Sequence, residues 1–267
     1  MGDIIACANQ KGGVGKTTTV INLAAYLAIA GRRVLVVDLD PQGNATSGLG
    51  FDKSTNARSV YPALVDPSAI SSVIQPTQID GLSLIPSGQD LAGAEVELVG
   101  VDQRERKLYA ALAPLRKSFD FIILDCPPAV GLLTVNPLTA ADAVLVPIQC
   151  EYYALEGLGQ LLATIDLVRD NLNPRLRLAG VLLTMYDART TLSADVAAEV
   201  RRHLNGTVYE TIVPRSVRLA EAPSYGRPIV RYSPESRGAQ AYAALAEEVL
   251  RRHPSASANE PPAWMGA

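Results

Sequence analysis

A glycine-rich segment between two apolar stretches constrains the fold of this 267-residue chain more than any other feature. The segment reads Lys11-Gly12-Gly13-Val14-Gly15-Lys16-Thr17-Thr18. An apolar run at 4–8 precedes it, and apolar residues recur at helical spacing after it, at Val20, Leu23, Ala24 and Leu27. This order predicts a strand, a phosphate-binding loop and a helix, because backbone N–H groups and a helix N-terminus can surround an anion.

The loop departs from the usual phosphate-binding pattern at one position. Gln10 stands where the first glycine of Gly-x-x-x-x-Gly-Lys-Ser/Thr belongs. Three glycines still let the backbone wrap phosphates, Lys16 can reach the β and γ oxygens, and the Thr17 hydroxyl can ligate Mg²⁺. We therefore expect residues 11–18 to bind ATP with Mg²⁺.

Acidic residues follow two further apolar runs. The run at 34–37 ends in Asp38-Leu39-Asp40, and the run at 121–124 ends in Asp125. A carboxylate at a strand tip can hold the water shell of Mg²⁺, which predicts metal-site roles for Asp125 and Asp38. Asp38 and Asp40 are both candidates for positioning or polarising the attacking water. A purely structural role in the turn stays open for Asp38.

Strands alternate with helices along the chain. Predicted strands cover 4–8, 34–37, 82–85, 121–124, 143–147, 178–183 and 208–213, and predicted helices cover 104–119, 155–171, 192–204 and 238–252. This alternation predicts an α/β fold, a doubly wound and mostly parallel sheet flanked by helices, with its ligand at the carboxyl ends of the strands. We expect one domain over 1–253 and a disordered, proline-rich tail over 254–267.

Several classes of protein are disfavoured by composition. No run reaches about 18 apolar residues, and no signal peptide is recognisable, so a cytoplasmic location is expected. The three cysteines, Cys7, Cys126 and Cys150, form no metal-binding pattern and are predicted to be reduced core residues. His203 and His253 are predicted to be solvated surface residues.

Charge is distributed unevenly along the chain. The net charge is −3, yet residues 171–267 carry 12 arginines against nine acids, and the last lysine is Lys117. Arginine suits phosphate partners, although a genome rich in arginine codons would give the same pattern.

Five motifs together resemble the ParA/Soj chromosome-partitioning ATPases. They are residues 9–18, Val-Asp-Leu-Asp-Pro-Gln-Gly-Asn-Ala-Thr at 37–46, Leu-Asp-Cys-Pro-Pro at 124–128, Gln-Cys-Glu-Tyr-Tyr-Ala-Leu-Glu-Gly at 149–157 and Arg-Leu-Ala-Glu-Ala-Pro-Ser at 218–224. The resemblance extends from about residue 2 to residue 252. The deviant glycine loop alone would indicate only the wider ParA/MinD superfamily.

The resemblance implies a catalytic set of Lys11, Lys16, Asp40 and Asp125. Lys11 matches the signature lysine that reaches across an ATP-bound homodimer to the partner's phosphates. Gly12 matches the glycine that lets two subunits approach, Asp40 a switch carboxylate used in hydrolysis, and Asp125 the Walker B acid.

The resemblance also implies further contacts. Pro214 and Ser216 match a loop that lies against adenine, although relatives often have asparagine where this chain has Ser216. Arg189 and Arg218 match residues implicated in sequence-independent binding of double-stranded DNA. The arginines that could extend this surface are Arg201, Arg202, Arg227 and Arg231. A ParB-type centromere-binding partner and association with the nucleoid follow from the same resemblance.

Alternative functions share the nucleotide chemistry. A MinD-like membrane-positioning ATPase would need a basic amphipathic C-terminal helix, and residues 254–267 contain no Lys or Arg. A metabolic P-loop ligase, such as an amidoligase, would need a further motif for its substrate, and no such motif is recognisable. A nitrogenase-like reductase would need a second cysteine to ligate a bridging cluster, and none is recognisable at a suitable position. Because the chain starts at the first strand, we expect no helix-turn-helix extension and no operator-specific repression.

Overall fold

The computed structural model describes residues 1–53, 58–129, 131–152, 154–204 and 206–253, and eight β-strands lie within them. They are β1 (Asp3–Cys7), β2 (Val34–Asp38), β3 (Gln75–Pro76), β4 (Leu82–Ile85), β5 (Phe121–Asp125), β6 (Ala143–Gln149), β7 (Arg177–Tyr186) and β8 (Val208–Pro214). All eight belong to one sheet, in the order β3-β4-β2-β5-β1-β6-β7-β8. Only β3 runs antiparallel to its neighbour, so the predicted doubly wound, mostly parallel sheet is confirmed.

Helices cover both faces of this sheet. The α-helices are α1 (Lys16–Ile29), α2 (Asn44–Gly48), α3 (Tyr61–Val65), α4 (Leu91–Glu97), α5 (Lys107–Leu112), α6 (Leu132–Ala140), α7 (Ala154–Asn171), α8 (Thr191–His203), α9 (Val217–Glu221), α10 (Ile229–Tyr232) and α11 (Arg237–Arg252). The single helix predicted over 104–119 is wrong. That segment is α5 between two 3₁₀ turns, Arg104–Arg106 and Ala113–Lys117. Pro114, which has no N–H to donate, is the second residue of the second turn.

Two apolar clusters form the core, one on each side of the sheet. Alternate residues of β1 divide between them, with Ile4 and Ala6 in one cluster and Ile5 and Cys7 in the other. Each central strand is therefore buried on both faces, which explains its continuous apolar sequence. All three cysteines are free and buried, as predicted.

His253 is not the solvated residue that the sequence predicts. Its side chain is buried, and Nδ1 lies 3.1 Å from Asp3 Oδ2 and 2.9 Å from Arg177 Nη2. The end of α11 thus lies beside the amino ends of β1 and β7. The tail predicted to be disordered, residues 254–267, lies outside the described residues, whereas His203 is exposed as expected.

Glu248 connects α11 to the edge strand β8. This buried carboxylate accepts hydrogen bonds from the backbone N–H groups of Glu210 and Thr211, and it pairs with Arg252 at 2.7 Å. We expect Glu248→Ala to lower the free energy of unfolding by about 3 kcal/mol, because two strand donors and one guanidinium lose their acceptor.

Urea unfolding followed by circular dichroism measures this effect. The matched control is Glu247→Ala on the same helix, for which the change should stay within about 0.5 kcal/mol. Equal unfolding midpoints for the two variants would contradict the anchoring role of Glu248.

Candidate functional site

The glycine loop and the acidic residues meet at the carboxyl edge of the sheet. In the strand register, Asp125 lies opposite Cys7 of β1 on one side and Asp38 of β2 on the other. The end of the glycine loop lies beside Asp125, because Thr17 and Lys16 both interact with its carboxyl group. The structure therefore brings together the residues for which the sequence predicts phosphate and metal binding.

Backbone geometry explains two of the three glycines in the loop. Gly13 and Gly15 have φ values of 76° and 89°, in the left-handed region that other residues rarely adopt. Gly15 is also the N-cap of α1, so the loop ends where the positive end of the helix begins. Gly12 has no such φ, and a Cβ there would meet nothing within 4 Å. Nothing within the described chain requires glycine at position 12.

Lys16 and Asn9 hold the shape of the loop. The Lys16 side chain is largely buried, and its Nζ donates to the Lys11 carbonyl at 3.1 Å. Asn9 Nδ2 donates to the Pro147 carbonyl at 2.7 Å, while its Oδ1 accepts from Lys11 N–H at 2.9 Å. Lys16 is thus held inside the turn, where its ammonium group faces the space around which the loop curls.

Two adjoining cavities lie beside the loop. One, of about 600 Å³, is lined by the loop from Gly12 to Thr18 and by Asp40 and Lys53. The other, of about 360 Å³, is mainly apolar, and Pro214 and Ser216 line it. The two share Gly15, Thr18 and Met185 in their walls. A cavity lined by the glycine loop and by charged side chains, beside a mainly apolar one, matches the phosphates and base of a nucleotide.

Asp125 is the least satisfied polar group of the site. It is fully buried, and neither carboxylate oxygen has a hydrogen-bond partner of normal geometry among the described residues. Burial, and then the neighbouring charge of Asp38, raise the pKa of Asp125 well above its usual range. A divalent cation would remove this penalty, so the residue fits the predicted magnesium role. The described residues contain no cluster of three acidic, His or Cys side chains that could hold a metal alone.

Asp38 is also fully buried, but its carboxylate is occupied. Its oxygens accept from Thr46 Oγ1 at 2.7 Å, Thr46 N–H at 2.8 Å and Asp40 N–H at 3.2 Å. Burial nevertheless raises the pKa of Asp38 to about 6. These bonds fix the segment that carries Asp40, so the structural role left open by the sequence is present, and magnesium contact by Asp38 stays a prediction.

Asp40 lies on the wall of the larger cavity. Its Oδ1 accepts from Gln42 N–H at 2.9 Å, and its carbonyl accepts from Ser87 Oγ at 2.6 Å. One carboxylate oxygen is therefore left to face the cavity, where a water molecule can be positioned.

Lys11 does not line its own cavity. Its side chain is partly exposed, and Nζ lies 3.4 Å from Glu151 Oε2. Arg215, next to Pro214, lies 3.7 Å from the other oxygen of Glu151. The signature lysine thus lies at the surface, where a role toward a second molecule is open to it.

Arg189 and Arg218 follow neighbouring strands, β7 and β8, at this same sheet edge. Both are exposed, and both are paired with an acid close in sequence: Arg189 with both oxygens of Asp187, at 2.7 and 2.9 Å, and Arg218 with Glu221 at 3.0 Å. Exposed pairs of this kind contribute little, at most about 1 kcal/mol, so phosphate can compete for both guanidiniums.

Sequence reasoning missed five supporting residues. They are Thr46 and Ser87, which brace the Asp40 segment; Thr184, whose hydroxyl donates to the Val14 carbonyl at 2.9 Å; Met185, with a φ of 51°; and Glu151. Thr46 and Glu151 lie within quoted motifs, which was the available signal. The others depend on contacts distant in sequence, which no local pattern reveals.

A family model described as "AAA domain" matches residues 2–178. The sporulation initiation inhibitor protein Soj of Bacillus subtilis is 56% identical over 93% of this chain and 98% of its own length. The chromosome partitioning protein ParA of Myxococcus xanthus is 54% identical over 94% of this chain and 89% of its own length. The chain belongs to the ParA/Soj family. Its fold is that of a P-loop ATPase.

Solved structures of similar proteins agree on the fold. Cobyrinic acid a,c-diamide synthase from Mycobacterium smegmatis, with bound ADP and magnesium, is 43% identical with a TM-score of 0.84, and 98% of each chain is covered. The cell division ATPase MinD of Pyrococcus furiosus is 28% identical with a TM-score of 0.77, over 94% of this chain and 99% of its own. Among the described residues, no helix is sufficiently long and apolar to span a bilayer.

The contrast between the two buried acids gives a prediction. Asp125→Asn removes a carboxyl group without hydrogen-bond partners, so we expect the nucleotide-free protein to gain about 1 kcal/mol of stability. The variant should at the same time lose most of the extra stabilisation that Mg²⁺ adds to ADP binding. Thermal unfolding with and without ADP and Mg²⁺ measures both effects.

Asp38→Asn is the matched control. It places an amide donor against the Thr46 or Asp40 donors, so it should cost about 2 kcal/mol. If Asp125→Asn destabilised the nucleotide-free protein as much as Asp38→Asn, the assignment of Asp125 as an unsatisfied metal acid would fail.

Proposed function

We propose that this protein is a DNA-partition ATPase whose ATP-bound homodimer binds double-stranded DNA without sequence preference. A ParB-type partner stimulates hydrolysis, which separates the dimer and releases the DNA. The observation that supports this most directly is the position of the exposed arginines. Arg189 and Arg218 lie at the sheet edge that also forms the nucleotide cavity, so a change at the nucleotide can alter the DNA surface.

The chain's own groups divide the work of holding ATP. Backbone N–H groups of the loop and the N-terminus of α1 face the phosphates, and Lys16 provides a buried cation. Mg²⁺ would neutralise charge on the β and γ phosphates, held by the Thr17 hydroxyl and, through water, by Asp125 and Asp38. The apolar cavity beside Pro214 takes the adenine. Ser216 Oγ accepts from Leu219 N–H at 3.4 Å, so that serine mainly caps α9.

Asp40 orients the attacking water. Its segment is fixed to Asp38 through Thr46 and to Ser87, so the free carboxylate oxygen has a defined position. A fixed acceptor lowers the barrier mainly by positioning, because phosphoryl transfer needs little covalent help from the protein.

Lys11 acts on the second subunit. In the single chain its ammonium group pairs with Glu151 at the surface, and that pair is half exposed and weak. When Lys11 leaves Glu151 and contacts the phosphates of the ATP bound to the second subunit, its ammonium group stabilises the negative charge that develops during phosphoryl transfer. An arginine finger acts in the same way. The fold of the single chain does not require glycine at position 12, and the absence of a side chain there leaves room for the second subunit to approach.

Dimerisation couples nucleotide to DNA. In one chain, Arg189 and Arg218 are each paired with a local acid, so the affinity of this pair for phosphate is low. Two copies joined through ATP present the Arg189 and Arg218 side chains of both subunits on one surface. Once one subunit contacts DNA, the arginines of the other bind at high effective concentration. Arg201, Arg202, Arg227 and Arg231 could enlarge the surface. Such binding would associate the protein with the nucleoid and release it after hydrolysis.

Asp40→Ala tests the hydrolytic role. The variant should bind ATP and DNA as the parent does, while turnover falls by about 100-fold or more, because the oriented water is lost. Phosphate release measured with DNA present reports turnover, and Lys16→Ala, which should lose ATP binding, is the control. Parent-rate hydrolysis by Asp40→Ala would rule out the water-positioning role.

DNA co-sedimentation tests the proposed function itself. We expect binding with a non-hydrolysable ATP analogue, little binding with ADP or without nucleotide, and steep weakening as salt rises. For the dimer of Arg218→Ala, the slope of log K against log salt should fall by roughly 2, because two phosphate contacts are lost.

Two controls accompany that experiment. Arg169→Ala removes another exposed arginine, on α7, and should leave DNA binding unchanged. Light scattering should show that Arg218→Ala still dimerises with ATP. DNA binding that is independent of nucleotide would contradict the coupling.

A metabolic ligase is the second candidate, because a structure of a cobyrinic acid a,c-diamide synthase is 43% identical. The Soj and ParA relatives at 56% and 54% favour partition. ADP formation that required glutamine or ammonia and an acid such as cobyrinic acid, with no response to DNA, would favour the ligase. ADP formation stimulated by DNA with a ParB-type protein would favour partition.

A further inference from the structure

A further cavity lies at the amino edge of the sheet, opposite the ATP site. It encloses about 500 Å³ near the starts of β1 and β6, between α5, the end of α6 and the segment that joins α7 to β7. β6 is seven residues long, so roughly 20 Å of strand separates the two sites. This cavity therefore has no part in the ATP chemistry described above.

Positive charge dominates the walls of this cavity. Arg106, Arg116 and Arg175 line it together with one carboxylate, Asp142. Asp142 is already engaged, since one of its oxygens accepts from Arg116 Nη2 at 2.6 Å and from Ile4 N–H at 2.8 Å. The guanidiniums of Arg106 and Arg175 thus have no compensating acid in the wall. This local excess of positive charge contrasts with the net charge of −3 of the whole protein.

These arginines retain donors for a ligand. Arg106 Nη2 donates to the Leu172 carbonyl at 2.9 Å, and Arg116 uses only Nη2 toward Asp142. Arg175 is exposed and has no ion pair or hydrogen bond with the described residues. A guanidinium carries five N–H donors in a planar fork, so most of these donors have no acceptor among the described residues.

Thr139 supplies a second, independent indication of a ligand. Its side chain is 3% exposed and lines the cavity, yet Oγ1 has no hydrogen-bond partner among the described residues. Helical threonines commonly satisfy this hydroxyl on the carbonyl one turn earlier, and a buried unpaired hydroxyl costs about 1–3 kcal/mol. Rotation about the χ1 torsion of Thr139 would let this hydroxyl donate to an oxygen atom of an anion bound in the cavity.

The remaining wall is apolar. Tyr109 is half exposed at the surface of α5, and Ala113 and Leu172 lie nearby in the lining. The volume also exceeds the space that a free phosphate ion needs. We propose that this cavity binds a small phosphomonoester of the nucleoside monophosphate class. Its phosphate contacts the arginines and Thr139, and its planar organic part packs on Tyr109.

Calorimetric titration tests this assignment. The full-length protein is first saturated with ADP and Mg²⁺ so that the ATP site is blocked. AMP, UMP, ribose 5-phosphate, adenosine and inorganic phosphate are then titrated separately. We expect AMP and UMP to bind more tightly than inorganic phosphate, and adenosine to give no signal. Equal affinities for AMP and inorganic phosphate would overturn the proposed ligand class, and no binding of either mononucleotide would overturn the site.

Two variants locate the binding. Arg175→Ala and Thr139→Val remove no described contact, so both should fold, and each should weaken AMP binding about tenfold or more. Arg237→Ala, an exposed arginine at the start of α11, is the charge-matched control and should bind AMP as the parent does. If Thr139→Val proves unstable, Arg175→Glu replaces it. Parent affinity in Arg175→Ala and Thr139→Val would place the bound AMP elsewhere and end the proposal.

Discussion

Two fully buried carboxyl groups at the tips of neighbouring parallel strands are the constraint on which the rest of this structure depends. Asp125 and Asp38 lie opposite each other in the register between β5 and β2, and burial raises the pKa of both. A fold keeps such a pair only where something compensates it. Here Thr46 and Asp40 satisfy Asp38, while Asp125 faces Thr17 and Lys16 at the start of α1. The strand order, the glycine loop and the bracing of Asp40 can all be understood as means of holding this pair beside a cationic, nucleotide-sized cavity.

The surface near that edge is built differently, from weak pairs that can be exchanged. Lys11 with Glu151, Arg189 with Asp187 and Arg218 with Glu221 are all partly or largely exposed, so each contributes little to stability. A cation whose local partner is weak can move to phosphate at small cost. The buried part of the site is therefore rigid and costly to change, whereas the exposed part is inexpensive to rearrange. This division suits the proposed cycle, in which contacts with a second copy and with DNA form and dissolve.

Much of the fold could be predicted because parallel strands buried on both faces leave continuous apolar runs in the sequence. Seven of the strands in the described residues were predicted within about three residues at each end, and only the two-residue β3 was missed. The prediction of one helix over 104–119 was wrong because it rested on the helical spacing of apolar residues and ignored the helix-breaking effect of Pro114. His253 was misplaced for another reason: nothing local indicates that the end of α11 packs against Asp3 and Arg177, which are distant in sequence.

The sequence by itself determined which residue types meet at the proposed ATP site. The glycine loop, its lysine and threonine, and the acidic residues can be recognised from their residue types and from their positions directly after strands. Residue type and position are both local properties of the sequence. Only the tertiary structure decided which acid is free and which is occupied, since Thr46 and Ser87 reach their partners through the folding of a distant loop. It also decided that Lys11 lies outside its own cavity and that Arg106, Arg116, Arg175 and Thr139 meet around a second one. The physical reason is that hydrogen-bond partners and charge neighbours are set by packing between elements, which local patterns do not encode.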